Sequence, residues 1–193
     1  MTTRILLVDD HAAVRHGLRN LLERETDLKV VGEAAYARDV LPLVERAQPD
    51  VVVLDVRLPD GDGVDVCRTI KGLKLDVKCV LLTAYIDVES VTAAFLAGAS
   101  GFVLKQIRGG DVVSCIRSAA SGASHFDVSL MTRSFDSVHS GSQYGFDSTE
   151  AAIVMGVIKG KTNRAIADEL SLPESTVARR RSESLEKVRA ARV

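Results

Sequence analysis

Over the first 122 residues, short apolar runs alternate with helical spacings. Residues 5–8, 28–32, 51–54, 77–82 and 102–104 are runs too short for a helix. Between them apolar positions recur three or four apart. Residues 11–24, for example, place Val14, Leu18, Leu21 and Leu22 on one face. The same spacing predicts helices over 39–47, 63–70, 88–96 and 111–120, with Asp87 capping the one over 88–96. Pro42 lies inside the helix over 39–47. It lacks a backbone donor, so that helix starts late or is kinked there. Near-continuous apolar strands separated by helices imply a parallel sheet covered on both faces. Five such units in this length predict an α/β, flavodoxin-like, doubly wound five-stranded parallel sheet.

Beyond residue 122 the pattern changes. Residues 133–145 are rich in Ser and Gly (Ser134, Ser137, Ser140, Gly141, Ser142, Gly145), which marks a linker. Residues 127–133 are compatible with a short helix. After Phe146 the chain is helical in pattern and offers no strand. The expected organisation is a first domain over 1–122, a linker over 123–145 and a small all-α domain over 146–193.

Composition adds little until it is read by region. Hydrophobic residues make up 46% of the 193, enough for a packed core, and the net charge is −1. From residue 145 onward, however, nine Lys/Arg face seven Asp/Glu, and Arg179, Arg180 and Arg181 are consecutive. That asymmetry points to a C-terminal domain facing nucleic acid. Cys67, Cys79 and Cys115 form no metal or CxxC spacing and read as buried thiols of a reducing compartment. The four histidines share no metal spacing. No apolar run approaches the ~20 residues that span a membrane, and no leader segment is visible, so a cytoplasmic location without membrane contact is expected.

The chemistry gathers at strand ends. In an open parallel sheet, ligands bind beyond the carboxyl ends of the strands. Asp9 and Asp10 follow the first strand (LLVDDH), Asp55 the third (VVVLDVRLPDG), Thr83 the fourth (VLLTAY) and Lys105 the fifth (GFVLK). Three carboxylates converging on one edge repel one another, and a divalent cation relieves that repulsion. Mg²⁺ takes oxygen ligands, usually one or two carboxylates with waters and phosphate oxygens. A carboxylate beside it can attack phosphorus and form an acyl phosphate. Two other readings fit less well. A phosphatase with an Asp nucleophile wants a second Asp two residues on, where this chain has Arg57. A dinucleotide site wants a Gly-rich turn after the first strand, where this chain has Asp9-Asp10-His11.

At these residues the chain resembles the receiver domain of two-component response regulators, over residues 4–122. The motifs VLDVRLPDGDG and AGASGFVLK particularly resemble the NarL/FixJ subfamily, which carries a LuxR-type helix-turn-helix effector. The resemblance implies Asp55 as phosphoacceptor. It implies an Mg²⁺ site of Asp10, Asp55 and the backbone carbonyl of Arg57, with Asp9 acting through water. Lys105 and Thr83 bind the phosphoryl group, and Thr83 with Phe102 forms the switch pair. On phosphorylation, the face made by the fourth helix, fifth strand and fifth helix changes shape. The phosphodonor would be a sensor histidine kinase, and the chain would not be an enzyme beyond slow self-dephosphorylation.

The C-terminal stretch predicts a helix over 165–170, a turn at 171–174 and a second helix over 175–188, the outline of a helix-turn-helix. Gly160, Asn163, Ile166-Ala167, Leu170 and Thr176-Val177 resemble the LuxR-type effector, which binds promoter DNA as a homodimer. Arg179, Arg180, Ser175, Arg164 and Lys187 are the candidate DNA contacts. Three consecutive arginines span about 200° of a helix, so only one or two reach a groove. Several positions depart from that effector: Gly156 and Lys161 stand for Leu, Ala178 for a Lys, and Arg181 and Ser184 for apolar residues. Loss of a core leucine at 156 would cost ~2–5 kcal/mol if uncompensated. These departures keep open a second reading, in which the helical domain serves protein contacts.

Overall fold

The computed structural model describes residues 2–73, 75–84, 88–105, 109–123, 144–159 and 161–190. Asp87, Gly160, the helix expected over 127–133 and the Ser/Gly-rich stretch as far as 143 lie outside them. The chain divides into two compact units. The first holds Met1–Tyr85 and Gly98–His125, and the second holds Ile86–Ala97 and Phe126–Val193.

The first unit is built on five parallel strands: β1 (Thr3–Val8), β2 (Leu28–Ala34), β3 (Val51–Asp55), β4 (Lys78–Thr83) and β5 (Gly101–Leu104), in the order β2-β1-β3-β4-β5. This is the doubly wound order expected from the sequence. Ile5, Leu6, Leu7, Val51, Val52, Leu54, Val80 and Leu81 are all fully buried, whichever face of the sheet they point to. A strand buried on both faces needs an unbroken apolar run, which is why these segments show no alternation.

The helices of this unit are α1 (Ala12–Leu22), α2 (Val40–Ala47), α3 (Gly63–Gly72) and, after α4 (Val88–Ala97) of the second unit, α5 (Gly109–Ala120). Pro42 falls at the third position of α2, where backbone N–H groups have no intrahelical acceptor, so its missing donor costs nothing. The helix therefore starts at Val40, behind a short 3₁₀ turn over Ala37–Asp39. At its other end Arg4 donates through Nε to Gln48 O (3.1 Å) and through a terminal nitrogen to Ala47 O (2.7 Å). Cys67, Cys79 and Cys115 are buried free thiols, and burial pushes Cys115 up to about 12.

The second unit contains α4 and three C-terminal helices: α6 (Ser148–Ile158), α7 (Asn163–Leu170) and α8 (Glu174–Ala190). Helix α6 opens with a capping box, in which Asp147 Oδ1 accepts from Glu150 N and Glu150 Oε2 accepts from Asp147 N, each at 2.8 Å. Thr162 caps α7, and Ser171 ends it in the left-handed region (φ 53°) before Pro173 and α8. Grouping α4 with these helices was not evident from the sequence.

Candidate functional site

The five residues singled out at strand ends meet at the carboxyl edge of the first unit. Asp55 is the last residue of β3 and Asp9 follows β1, and both are almost completely buried. Two carboxylates in that environment need compensation. Lys105, just beyond β5, supplies it: Nζ lies 2.7 Å from Asp9 Oδ2 and 2.7 Å from Asp55 Oδ2. Its own backbone N–H donates to Thr83 O (2.8 Å), which fixes the end of β5 to the end of β4. Thr83 is buried at the close of β4, and Phe102 is buried in β5 opposite Leu81.

Backbone donors complete the setting. His11 N donates to Asp9 Oδ1 (2.9 Å) and Arg57 N to Asp55 Oδ1 (3.2 Å). Arg15 reaches back to Asp9 O (2.6 Å). Burial raises the Asp55 carboxyl above its ordinary value, with Asp9 adding to the effect, while Lys105 opposes it. For Lys105, burial works against the charged form, but its bonds to Asp55 and Asp9 prevail and hold the ammonium above its usual range. The site is therefore a buried charge cluster in which one cation serves two anions.

The donor set fits a hard divalent cation. One ligand atom from each of Asp9, Asp10, His11 and Asp55 lies within 4.8 Å of all the others. Three of the four are carboxylates, the ligand type preferred by Mg²⁺. Asp10 is exposed, and the Nδ1 of His11 rests 2.6 Å from its Oδ1. His11 entered no sequence-based site, because an isolated histidine carries no spacing signal. Its place one residue after two aspartates is the only hint the sequence offers.

Gly63 is a second residue that the motifs did not single out. Its N–H donates to Val56 O (2.8 Å), and Asp62 caps α3 by accepting from Val64 N (2.7 Å). The helix thus begins against the strand end that carries Asp55. Asp60, in the hairpin formed by Arg57–Leu58 and Gly61–Asp62, accepts from Ala37 N (2.7 Å) and Arg38 N (3.2 Å) and ties this loop to the approach to α2.

The candidate DNA contacts are dispersed in the second unit. Ser175 and Arg164 are exposed near the N-termini of α8 and α7. Arg179 pairs with Glu183 one turn on (2.5 Å). Arg180 pairs with Asp147; the Glu150 N–H first, and then Arg180, hold that carboxyl below the usual range. Lys187 donates to Glu150 Oε2 (2.6 Å) and Gly145 O (3.1 Å). Arg180 and Lys187 therefore tie α8 to the capping box of α6.

The departures at 156 and 184 find structural reasons. A Cβ at Gly156 would lie 2.7 Å from Ile166 Cγ1, so Ile166 of α7 already fills the place of the missing side chain, and the expected deficit at 156 is compensated. Ser184 is buried with its hydroxyl donating to Arg180 O (2.9 Å). Lys161 pairs with Glu169 (2.5 Å) across the groove beside Gly156. Restoring leucine, Gly156→Leu, is therefore expected to lower stability by about 1–3 kcal/mol through overpacking. Urea denaturation checks this, and a gain in stability would contradict the packing described.

Comparison with known proteins agrees with this fold. The family model for the response regulator receiver domain matches residues 5–117. The DNA-binding transcriptional activator DevR/DosR of Mycobacterium tuberculosis is 37% identical over 179 residues, covering 90% of this chain and 82% of that protein. The transcriptional regulatory protein LiaR of Bacillus subtilis is 31% identical over 179 residues, covering 90% and 85%. A crystal structure of a LuxR-family two-component response regulator from Aurantimonas sp. SI85-9A1 superposes with a TM-score of 0.66 at 33% identity, covering 71% of this chain and 98% of that one. The chain belongs to the response regulator receiver family. Its relatives place it among the NarL/LuxR-type regulators, a family of response regulators rather than of classical enzymes. Among the described residues, no helix is long and apolar enough to cross a membrane.

Proposed function

We propose that this protein is a cytoplasmic two-component response regulator that accepts a phosphoryl group on Asp55 from a sensor histidine kinase and controls transcription by binding promoter DNA. One observation carries the reading. A nearly buried carboxylate at a sheet edge shares a single ammonium with Asp9, beside Asp10 within reach of one cation. An Asp55 oxygen attacks the phosphorus of the phosphohistidine, the P–N bond breaks, and the imidazole leaves with its electron pair. Asp10, Asp55 and the Arg57 carbonyl would hold Mg²⁺, with Asp9 acting through water, and the ion would supply charge neutralisation for the transferring oxygens. Lys105 exchanges a carboxylate for a phosphoryl oxygen, and Thr83 donates its hydroxyl to another. Phe102 then takes up the space that Thr83 vacates. Any hydrolysis of the acyl phosphate is slow self-dephosphorylation.

In this reading residues 1–122 form the receiver, 123–145 a linker and 146–193 the effector, which binds paired half-sites as a homodimer. Arg164, Ser175, Arg179, Arg180 and Lys187 are its candidate contacts. One observation favours a second reading, in which the effector contacts protein instead: Arg179, Arg180 and Lys187 already pair with carboxylates of their own unit. Counterion release makes true DNA binding weaken steeply with salt. The absence of any salt-sensitive binding, phosphorylated or not, selects the protein-contact reading.

Incubation with acetyl phosphate and Mg²⁺ tests the phosphoacceptor. Wild type is expected to gain one phosphoryl group by intact mass, and Asp55→Asn none. Equal labelling of both overturns the assignment.

A further inference from the structure

His11 takes no part in the phosphoryl chemistry above, yet its imidazole stands at the acidic pocket. Nδ1 lies 2.6 Å from Asp10 Oδ1 and 3.4 Å from Asp9 Oδ1. Capping does not explain the residue. His11 occupies the N-cap of α1, but its side chain accepts no cap hydrogen bond there, and imidazole is not among the preferred caps. Its backbone N–H is held by Asp9 Oδ1 (2.9 Å). The ring itself is 67% exposed and sits at the mouth of the pocket, above the buried Asp9 and Asp55.

The spacings suit ligands of one ion. Two ligands of an octahedral ion at about 2.1 Å lie about 3.0 Å apart when adjacent and about 4.2 Å apart when opposite. The two Nδ1 distances, 2.6 and 3.4 Å, bracket the adjacent spacing. One donor atom each from Asp9, Asp10, His11 and Asp55 lies within 4.8 Å of all the others, little beyond the opposite spacing. Asp9 Oδ2 is a further sign of a cation. It is buried, with the Lys105 ammonium 2.7 Å away, but among the described residues it accepts no well-aligned hydrogen bond. Lone pairs on that oxygen remain open to a metal ion.

A nitrogen donor changes which ion the pocket prefers. Three carboxylates alone make a hard oxygen site of the kind that suits Mg²⁺. Mg²⁺ gives up water reluctantly and takes oxygen ligands, so an imidazole adds little to its binding. First-row transition dications bind neutral imidazole well, and their affinity for such mixed sites rises from Mn²⁺ through Co²⁺ to Cu²⁺. The chain therefore places beside Asp10 the one side chain that separates these two classes of cation.

We propose that His11 is a further metal ligand of this pocket, and that with Asp9, Asp10 and Asp55 it binds a first-row transition dication such as Co²⁺ in preference to Mg²⁺. The proposal rests on the reading above only in taking the pocket as a dication site. It does not depend on Asp55 accepting a phosphoryl group. The two cations share carboxylates, so they compete, and their relative supply decides which is bound.

The test uses the full chain and reads binding rather than phosphoryl transfer. Co²⁺ is titrated by its visible absorption, whose bands shift when nitrogen replaces oxygen around the ion. Mg²⁺ is titrated by calorimetry. Wild type should bind one Co²⁺ with nitrogen-type bands, about tenfold or more tighter than Mg²⁺. In His11→Ala, Co²⁺ affinity should fall by about tenfold or more, at least the loss that follows removal of a group that merely orients a ligand. Its bands should become those of an all-oxygen shell. Mg²⁺ affinity should stay within about twofold, because Mg²⁺ does not use the imidazole. His11→Asn, which can still donate a hydrogen bond to Asp10, should behave as His11→Ala.

Equal loss of Co²⁺ and Mg²⁺ affinity in His11→Ala, restored by His11→Asn, would mean that His11 only orients Asp10, and it overturns the proposal. Nitrogen-type bands that survive His11→Ala overturn it too, since another histidine then supplies the nitrogen. Wild type that binds Mg²⁺ but not Co²⁺ removes the His11 proposal and leaves the dication reading intact. Binding of neither cation at millimolar concentration removes both. If Co²⁺ behaves as expected while Asp55 takes up no phosphoryl group, the His11 proposal stands and the phosphoacceptor reading falls.

Discussion

Gly63→Ala is expected to destabilise the protein by about 3 kcal/mol and to slow phosphoryl acceptance, although alanine is the best helix former and Gly63 opens α3. A methyl group there would lie 2.0 Å from Asp55 O and 2.9 Å from Asp55 C. Both are backbone atoms at the end of β3, so no side-chain rotation relieves the clash. The Gly63 N–H is also held by Val56 O, which prevents α3 from simply lifting away. Either that bond breaks or the end of β3 moves, and Asp55 moves with it. For a chain of this size the melting temperature should fall by roughly 10 °C. Labelling by acetyl phosphate, compared at a temperature where both proteins are folded, reads the effect on Asp55. A variant that melts with the wild type would show that the strand end yields freely.

The contrast between Gly63 and Asp55 shows what the sequence made legible. Asp55 was readable because a strand buried on both faces is an unbroken apolar run, and the residue that ends it stands at the sheet edge. The same logic gave Asp9, Thr83 and Lys105, and the doubly wound strand order followed from the spacing of the runs. Gly63 carries no such mark: its role is a distance to a carbonyl oxygen, and carbonyls have no signature in a sequence. Arg181 is the same case at longer range, since its acceptors are the backbone of Phe95 and Leu96. Gly156 looked like a deficit because a sequence shows the missing side chain but not Ile166, which occupies its place. Helix α4 gave a faint signal. Ser90 to Ala97 are buried on every side, and a helix without a polar face is one that is enclosed. What encloses it cannot be read from its own residues.

Lys105→Met is expected to cost about 3 kcal/mol at neutral pH and to make the protein more responsive to Mg²⁺. The substitution keeps the length of the side chain and removes the ammonium that lies 2.7 Å from both Asp9 and Asp55. Removing one partner of a buried ion pair typically costs about 3–5 kcal/mol, because the remaining charge is left uncompensated. Protonation limits the loss. Neutralising one carboxyl of ordinary pKa ~3.9 at pH 7 costs about 4 kcal/mol, so the penalty cannot much exceed that value. The pH dependence follows from the direction of the shift. Burial already raises Asp55, and losing Lys105 raises it further. A carboxyl whose folded pKa lies above its unfolded value destabilises the fold above the unfolded pKa, and that penalty fades as pH falls through the folded value. The deficit relative to wild type should therefore be largest near pH 7 and clearly smaller at about pH 5. Mg²⁺ should restore much of it, because a dication bound to the native state stabilises by mass action and no longer competes with an ammonium. Urea denaturation at both pH values, with and without Mg²⁺, reads all three effects. Equal stabilisation of wild type and variant by Mg²⁺ would mean that Lys105 and the metal do not share these carboxylates.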